Sequence, residues 1–320
     1  MPLGIDPTVD YVFKKLFGSQ ENSDLLVHLL NAILAPKWPI VAVEILNPFN
    51  AKDFEEDKLS ILDVKALDAN RAWFNVEMQT KAPELLRQRL PYYNATLLSS
   101  QLLSGDGYHE LLPVISICIL KQSLFPEVNV PHLNFKLRDC QHGVQFTDCV
   151  QIHTIELAKY NFPEQRAGAL DSIRTAPPLE QWAYFLNNAA RLEGTELQTL
   201  LPEAVYLKAT GVMEMIAQTP EERMRYEARR LAELDFKSYV EFARIQALKE
   251  GRKEGLDKGL EEGREEGREE GLKLGLAGQI RVFQSLLHEP IASDADLLGM
   301  PLETLVQLSE ELKSKLTLPE

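Results

Sequence analysis

Asp63, Glu77 and Gln79, with Lys65 close by, are the residues whose types and spacing suit them to chemistry. They lie on two strand-like runs, residues 60–67 and 72–79, separated by the turn signal Asp68-Ala69-Asn70-Arg71. A hairpin with a three-residue loop centred on Asn70 sets Asp63 directly opposite Glu77. Side chains alternate along a strand, so one face carries Asp63, Lys65, Asn75, Glu77 and Gln79. The other carries Leu62, Val64, Ala66, Phe74, Val76 and Met78. Two carboxylates facing each other across a ladder repel. A divalent cation relieves that repulsion, and hard oxygen ligands suit Mg²⁺ or Mn²⁺. The plainer alternative is a pair of acids on a solvent-facing hairpin, each matched to Lys65 or another neighbour.

The elements around the hairpin read as an α/β core. Asp6 or Thr8 is placed to cap a first helix with Val9, Phe13, Leu16, Phe17 and Leu25 on its apolar side, and Gly18 should interrupt it. Asp10 falls in the first turn, where its carboxylate either faces a metal or simply complements the helix dipole. Residues 41–46 predict a first strand, and residues 47–57 an acidic loop. Pro83 opens a helix that runs to about Ser104, with Gly105-Asp106-Gly107 ending it. On that helix Arg87, Gln88 and Tyr92 are candidates for contact with a DNA backbone, or ordinary surface residues. Residues 113–120 predict a buried strand and residues 150–157 another. The order of helix, three strands, helix and strand implies a mixed sheet flanked by helices.

The segments Asp6-Pro7-Thr8-Val9-Asp10-Tyr11-Val12-Phe13-Lys14-Lys15-Leu16-Phe17-Gly18, Ile61-Leu62-Asp63-Val64 and Phe74-Asn75-Val76-Glu77-Met78-Gln79 together resemble the core of the PD-(D/E)XK nucleases. Within that superfamily the chain is most similar to the recombination-promoting nuclease/transposase family. The likeness covers roughly residues 5–125 well, and the later chain by general pattern. It implies a restriction-endonuclease-like fold and a Mg²⁺-dependent DNA endonuclease of low sequence specificity, linked to recombination or mobile elements. It also implies Asp63 and Glu77 as metal ligands, with Asp10 as a further acidic ligand from the first helix. The superfamily's motif lysine is Gln79 here, which hydrogen-bonds water but brings no charge. The family that this chain resembles also uses Gln at this place. Lys65 or Lys81 would supply the missing charge if the strands keep their register, Lys65 from the firmer strand; the alternative is that both are ordinary surface lysines.

Composition narrows the alternatives. No apolar run approaches the ~18 residues needed to span a bilayer, and the start of the chain lacks a secretory pattern. Three scattered cysteines, Cys118, Cys140 and Cys149, read as reduced thiols in the cytoplasm. Net charge is −14, divided as 14 Lys/Arg against 19 Asp/Glu in residues 1–160 (−5) and 20 against 29 in residues 161–320 (−9). That balance counts against tight binding of phosphates and leaves weak, metal-assisted binding of DNA. Cys140, His142, Cys149 and His153 lack the usual half-site spacing of zinc. No phosphate-binding glycine loop is present. The rival to the enzyme is a catalytically inactive nuclease fold that works as a binding or assembly module through its tail.

The expected domains are 1–160 (nuclease-like), 161–249 (helical), 250–278 (a charged repeat) and 279–320 (a small helical segment). Glycine recurs every fourth residue from Gly251 to Gly275, with mostly Arg, Lys and Glu between. Each glycine costs about 1 kcal/mol of helix stability relative to alanine. The repeat is therefore either a solvated, fraying helical spacer or a helix-pairing segment through which copies of the chain assemble. In the closing segment Pro301 opens a helix.

Overall fold

The computed structural model describes residues 1–47, 63–68, 72–81, 85–162 and 169–317. The loop centred on Asn70, the Leu62 end of the first run, most of the acidic loop and the Pro83 helix start lie outside them. The described chain forms a six-stranded mixed sheet flanked by helices, followed by a long helical region. It divides into two units, Met1–Leu234 and Asp235–Glu320.

The strands of the first unit are β1 (Val43–Ile45), β2 (Asp63–Asp68), β3 (Trp73–Gln79), β4 (Val114–Leu120), β5 (His132–Lys136) and β6 (Val150–Glu156), in the order β1-β2-β3-β4-β6-β5. β1, β2 and β3 pair antiparallel, β3–β4 and β4–β6 pair parallel, and β5 closes the far edge antiparallel to β6. β4 reads Val-Ile-Ser-Ile-Cys-Ile-Leu and is buried throughout, as a parallel strand covered on both faces must be.

One face of the sheet, with Val64, Ala66, Phe74, Val76, Met78, Ile117 and Ile155, belongs to the main core. The helices on that core are α1 (Asp10–Phe17), α2 (Ser23–Leu34), α4 (Ala169–Arg174), α5 (Pro178–Asn188), α6 (Gly194–Leu200) and α7 (Ala204–Gln218). Trp182 sits fully buried against Phe17, Phe185 and Tyr206 and donates its indole N–H to His28 Nδ1 at 2.9 Å. The core does not break at residue 160, because the helices beyond it fill the same interior as α1 and α2. The opposite face is covered by α3 (Leu86–Ser99), whose Leu86 and Leu90 pack on Cys118, Leu120 and Leu124.

Gly18 ends α1 as its spacing predicts. A Cβ there would meet the Lys14 carbonyl oxygen at 2.8 Å and a Val64 methyl at 3.3 Å. The expected cap differs: Val9 precedes α1 without a side-chain hydrogen bond. Asp6 instead accepts from the Thr8 N–H (2.9 Å) and hydroxyl (2.5 Å) and pairs with Lys121 (2.6 Å), which follows β4 directly. A second clamp ties down residues 121–131. Buried Glu156 accepts from Ser123 and from the Phe125 N–H (3.2 Å) and pairs with Lys159 (2.8 Å). Lys159 donates in turn to the carbonyls of Phe125 (2.8 Å), Val128 (2.5 Å) and Val130 (3.4 Å).

Helix α8 (Pro220–Leu286) gives its first turns to this unit. Glu222 takes the Tyr11 hydroxyl (2.6 Å) and Lys15, Tyr226 accepts from the Asp6 N–H (3.1 Å), and Glu233 accepts from the Asp10 N–H (3.5 Å). In the second unit, the remainder of α8 carries the glycine repeat, exposed on every side. A Cβ at Gly251, Gly255, Gly259, Gly263, Gly267, Gly271 or Gly275 would meet nothing within 4 Å, so no close backbone approach among the described residues uses them. Beyond the repeat, Ala277 and Ile280 pack with Leu297 of α9 (Asp294–Leu298) and with Leu305 and Leu312 of α10 (Leu302–Thr317). α10 begins directly after Pro301, as expected.

Candidate active site

The hairpin arithmetic holds in the backbone. Asp63 pairs with Glu77, Lys65 with Asn75 and Leu67 with Trp73. On the other side of β3, Glu77 pairs with Cys118 and Gln79 with Leu120. The polar face predicted around Glu77 is not open to solvent, however. Asn75 is 1%, Glu77 0% and Gln79 9% exposed. Two causes act together: β3 is an interior strand between β2 and β4, and α3 roofs its polar face. Asn94 of α3 fixes that roof, donating to the Gln151 carbonyl at 3.0 Å and accepting from Ser116.

A buried carboxylate needs partners, and Glu77 has them at one oxygen only. Its Oε2 accepts from Gln79 Nε2 and from a terminal guanidinium nitrogen of Arg89, each at 3.2 Å. Its Oε1 is buried with no hydrogen-bond partner among the described residues, as are both amide atoms of Asn75 and Nε of Arg89. An orphaned carboxylate oxygen, placed opposite a second acid in register, fits the requirement of a hard divalent cation. Among the described residues, no three of His, Cys, Asp and Glu converge as a ready cluster.

Arg89 is the residue that reading the sequence missed. The signal lay in the helix phase: Leu86, Leu90 and Asn94 repeat at four residues and face the sheet, which brings Arg89 and Tyr93 alongside them. Arg87 turns elsewhere, donating to the Leu124 carbonyl (2.6 Å) and stacking over the Phe125 ring (4.5 Å). Gln88 and Tyr92 are exposed. Of the two candidate lysines, Lys65 is half-buried and Lys81 exposed.

Asp10 is buried in the first turn of α1, with its Oδ1 unpartnered among the described residues. Burial raises its carboxyl pKa against the opposing pull of Arg229 and Lys14. These neighbours and Glu233 come from α1 and α8 rather than from the hairpin. Cys140, His142, Cys149 and His153 do not converge either. His142 pairs with Asp139 (2.9 Å), Cys149 with Thr147 (3.0 Å), and His153 Nδ1 shares a hydrogen bond with His132 Nε2 (2.9 Å).

No helix among the described residues is long and apolar enough to cross a membrane. No curated protein and no solved structure matched the chain. A family model described as PD-(D/E)XK nuclease family transposase matches residues 7–243, a span that takes in α1, the whole sheet, α3 and the first turns of α8. By that match, and with the hairpin acids in register at its centre, the chain belongs to the PD-(D/E)XK nuclease family transposases.

Proposed function

We propose that the chain is a Mg²⁺-dependent DNA endonuclease of low sequence specificity that acts in the cytoplasm, in recombination or in the biology of mobile elements. The observation that carries this reading is the unpartnered, fully buried Oε1 of Glu77 on a strand position paired with Asp63. Asp63 and Glu77 are the residues to hold Mg²⁺ (or Mn²⁺), with Asp10 as a further acidic ligand from α1. When bound, such an ion polarises the scissile phosphate and lowers the pKa of an attacking water. Gln79 is held in place by its bond to Glu77 and keeps a carbonyl oxygen with which to orient a water. Lys65, opposite Asn75, brings positive charge to the hairpin. Arg87, Gln88 and Tyr92 serve as outlying contacts to the DNA backbone.

The second reading is an inactive nuclease fold that binds or assembles through its helical tail. The net charge of −14 and the missing motif lysine favour it. Supercoiled plasmid incubated with the full chain in Mg²⁺ or Mn²⁺, beside Asp63→Ala and an EDTA control, separates the two. Metal-dependent nicking that disappears in the variant supports the endonuclease. No nicking, or equal nicking by the variant, transfers the weight to the binding module.

A further inference from the structure

Glu77 is neutralised in this structure by a guanidinium. Arg89 reaches Oε2 from α3 with a side chain that is 37% exposed, so it spans the boundary between the buried carboxylate and solvent. Its guanidinium carbon lies over the Tyr93 ring, 5.6 Å from the centroid. Among the described residues one hydrogen bond engages its five N–H donors, and Nε is buried without a partner. A group so placed has donors to spare at the spot where a phosphate oxygen would approach Glu77.

Resting on the nuclease reading, we propose that Arg89 is a placeholder for the divalent cation on Glu77 and becomes a phosphate ligand once DNA is bound. The reasoning is electrostatic. A guanidinium and a divalent cation on one carboxylate repel each other, so without DNA Arg89 weakens the hold of Glu77 on the cation. A DNA phosphate supplies the negative charge that both can share, and the planar fork of arginine matches its oxygens. Cation and DNA therefore bind cooperatively through Arg89, each tightening the other by the same factor. Arg89 also brings to the site the positive charge that Gln79 lacks. A residue that merely braced α3 against the sheet would give no such coupling.

The test is Mn²⁺ binding by the full chain without DNA, read by electron paramagnetic resonance, alongside plasmid nicking. The proteins are wild type, Arg89→Gln, Arg89→Lys and Glu77→Gln. Arg89→Gln should bind Mn²⁺ about threefold to tenfold more tightly, since one unit of repulsion is removed. It should also nick about 100-fold more slowly, the scale for losing one preorganised donor to a developing charge. Wild-type Mn²⁺ affinity or wild-type nicking in Arg89→Gln overturns the placeholder while leaving the nuclease reading intact. Should Arg89→Gln fail to fold, Arg89→Lys decides. It keeps the charge without the fork, so its Mn²⁺ affinity should stay within about twofold while nicking falls; nicking at the wild-type rate overturns the role. Absence of Mn²⁺ binding in both wild type and Arg89→Gln, or undiminished binding in Glu77→Gln, removes the nuclease reading itself and the placeholder with it.

Discussion

Replacing Lys159 with methionine removes the cation from one of the most enclosed ion pairs in the first unit. Glu156 has no exposed surface, and the Lys159 side chain is 9% exposed. In Lys159→Met the carboxylate keeps Ser123 and the Phe125 N–H but loses its countercharge, and the Phe125, Val128 and Val130 carbonyls lose a shared donor. Removing one partner of a buried pair costs about 3–5 kcal/mol, because the remaining charge is left uncompensated. For a unit of this size, each kcal/mol lowers Tm by roughly 2–4 °C, so the fall should be about 6–20 °C. Trp38, Trp73 and Trp182 all lie in residues 1–234, so tryptophan fluorescence in urea reports on this unit alone. Glu156→Gln/Lys159→Met should recover at least about 1 kcal/mol over Lys159→Met, since an amide can replace the carboxylate without stranding a charge. A loss below about 1 kcal/mol in the single variant would refute the reasoning, as would a double variant no more stable than the single.

Two further outcomes follow from the same reading of burial and charge. Burial, with help from His132 and Lys136, holds the His153 pKa down at about 4. The unfolded chain therefore takes up this proton first, and stability should fall as pH drops from about 6.5 towards 4, by about 2.5 kcal/mol at pH 4.5. Urea midpoints of wild type and His153→Gln at pH 7 and 4.5 check this, and an equal acid loss in both would count against it. In the repeat, Gly255→Ala/Gly259→Ala/Gly263→Ala places methyl groups in open space and adds about 1 kcal/mol of helix preference per site. Amide hydrogen exchange across residues 250–270 should slow at least about tenfold. Unchanged exchange would mean that these glycines are not part of a freely solvated helix.

Much of the hairpin was legible because strand geometry is so constrained. A loop centred on Asn70 fixes every partner by counting, and alternation then assigns Val64, Ala66, Phe74, Val76 and Met78 to the core. The burial of Asn75, Glu77 and Gln79 was not legible, since nothing local announces that α3 will lie over them. Arg89 was missed for a related reason. A helix measured from Pro83 gives no phase, whereas Leu86 and Leu90 do, once the surface that they cover is known. β5 escaped because an edge strand with three of its five residues exposed lacks a continuous apolar run. The unity of the first 234 residues could not be read from local pattern either, because Trp182 meets Phe17 only through the tertiary fold.

The grip of α8 on α1 has a consequence for the order in which the molecule is made. The bonds from Tyr11 and Lys15 to Glu222, from Asp6 to Tyr226 and from Asp10 to Glu233 join residues 207 to 223 positions apart. At about 5–20 residues per second of synthesis, the first helix waits roughly 10–45 s for these partners. Throughout that interval Asp10 and its neighbours are without the contacts that bury them, whereas every strand of the sheet has its partners made by residue 156. A chain that stops before residue 222 never receives the clamp, so completion of the fold around the first helix is reserved for products that have been read through almost to the glycine repeat.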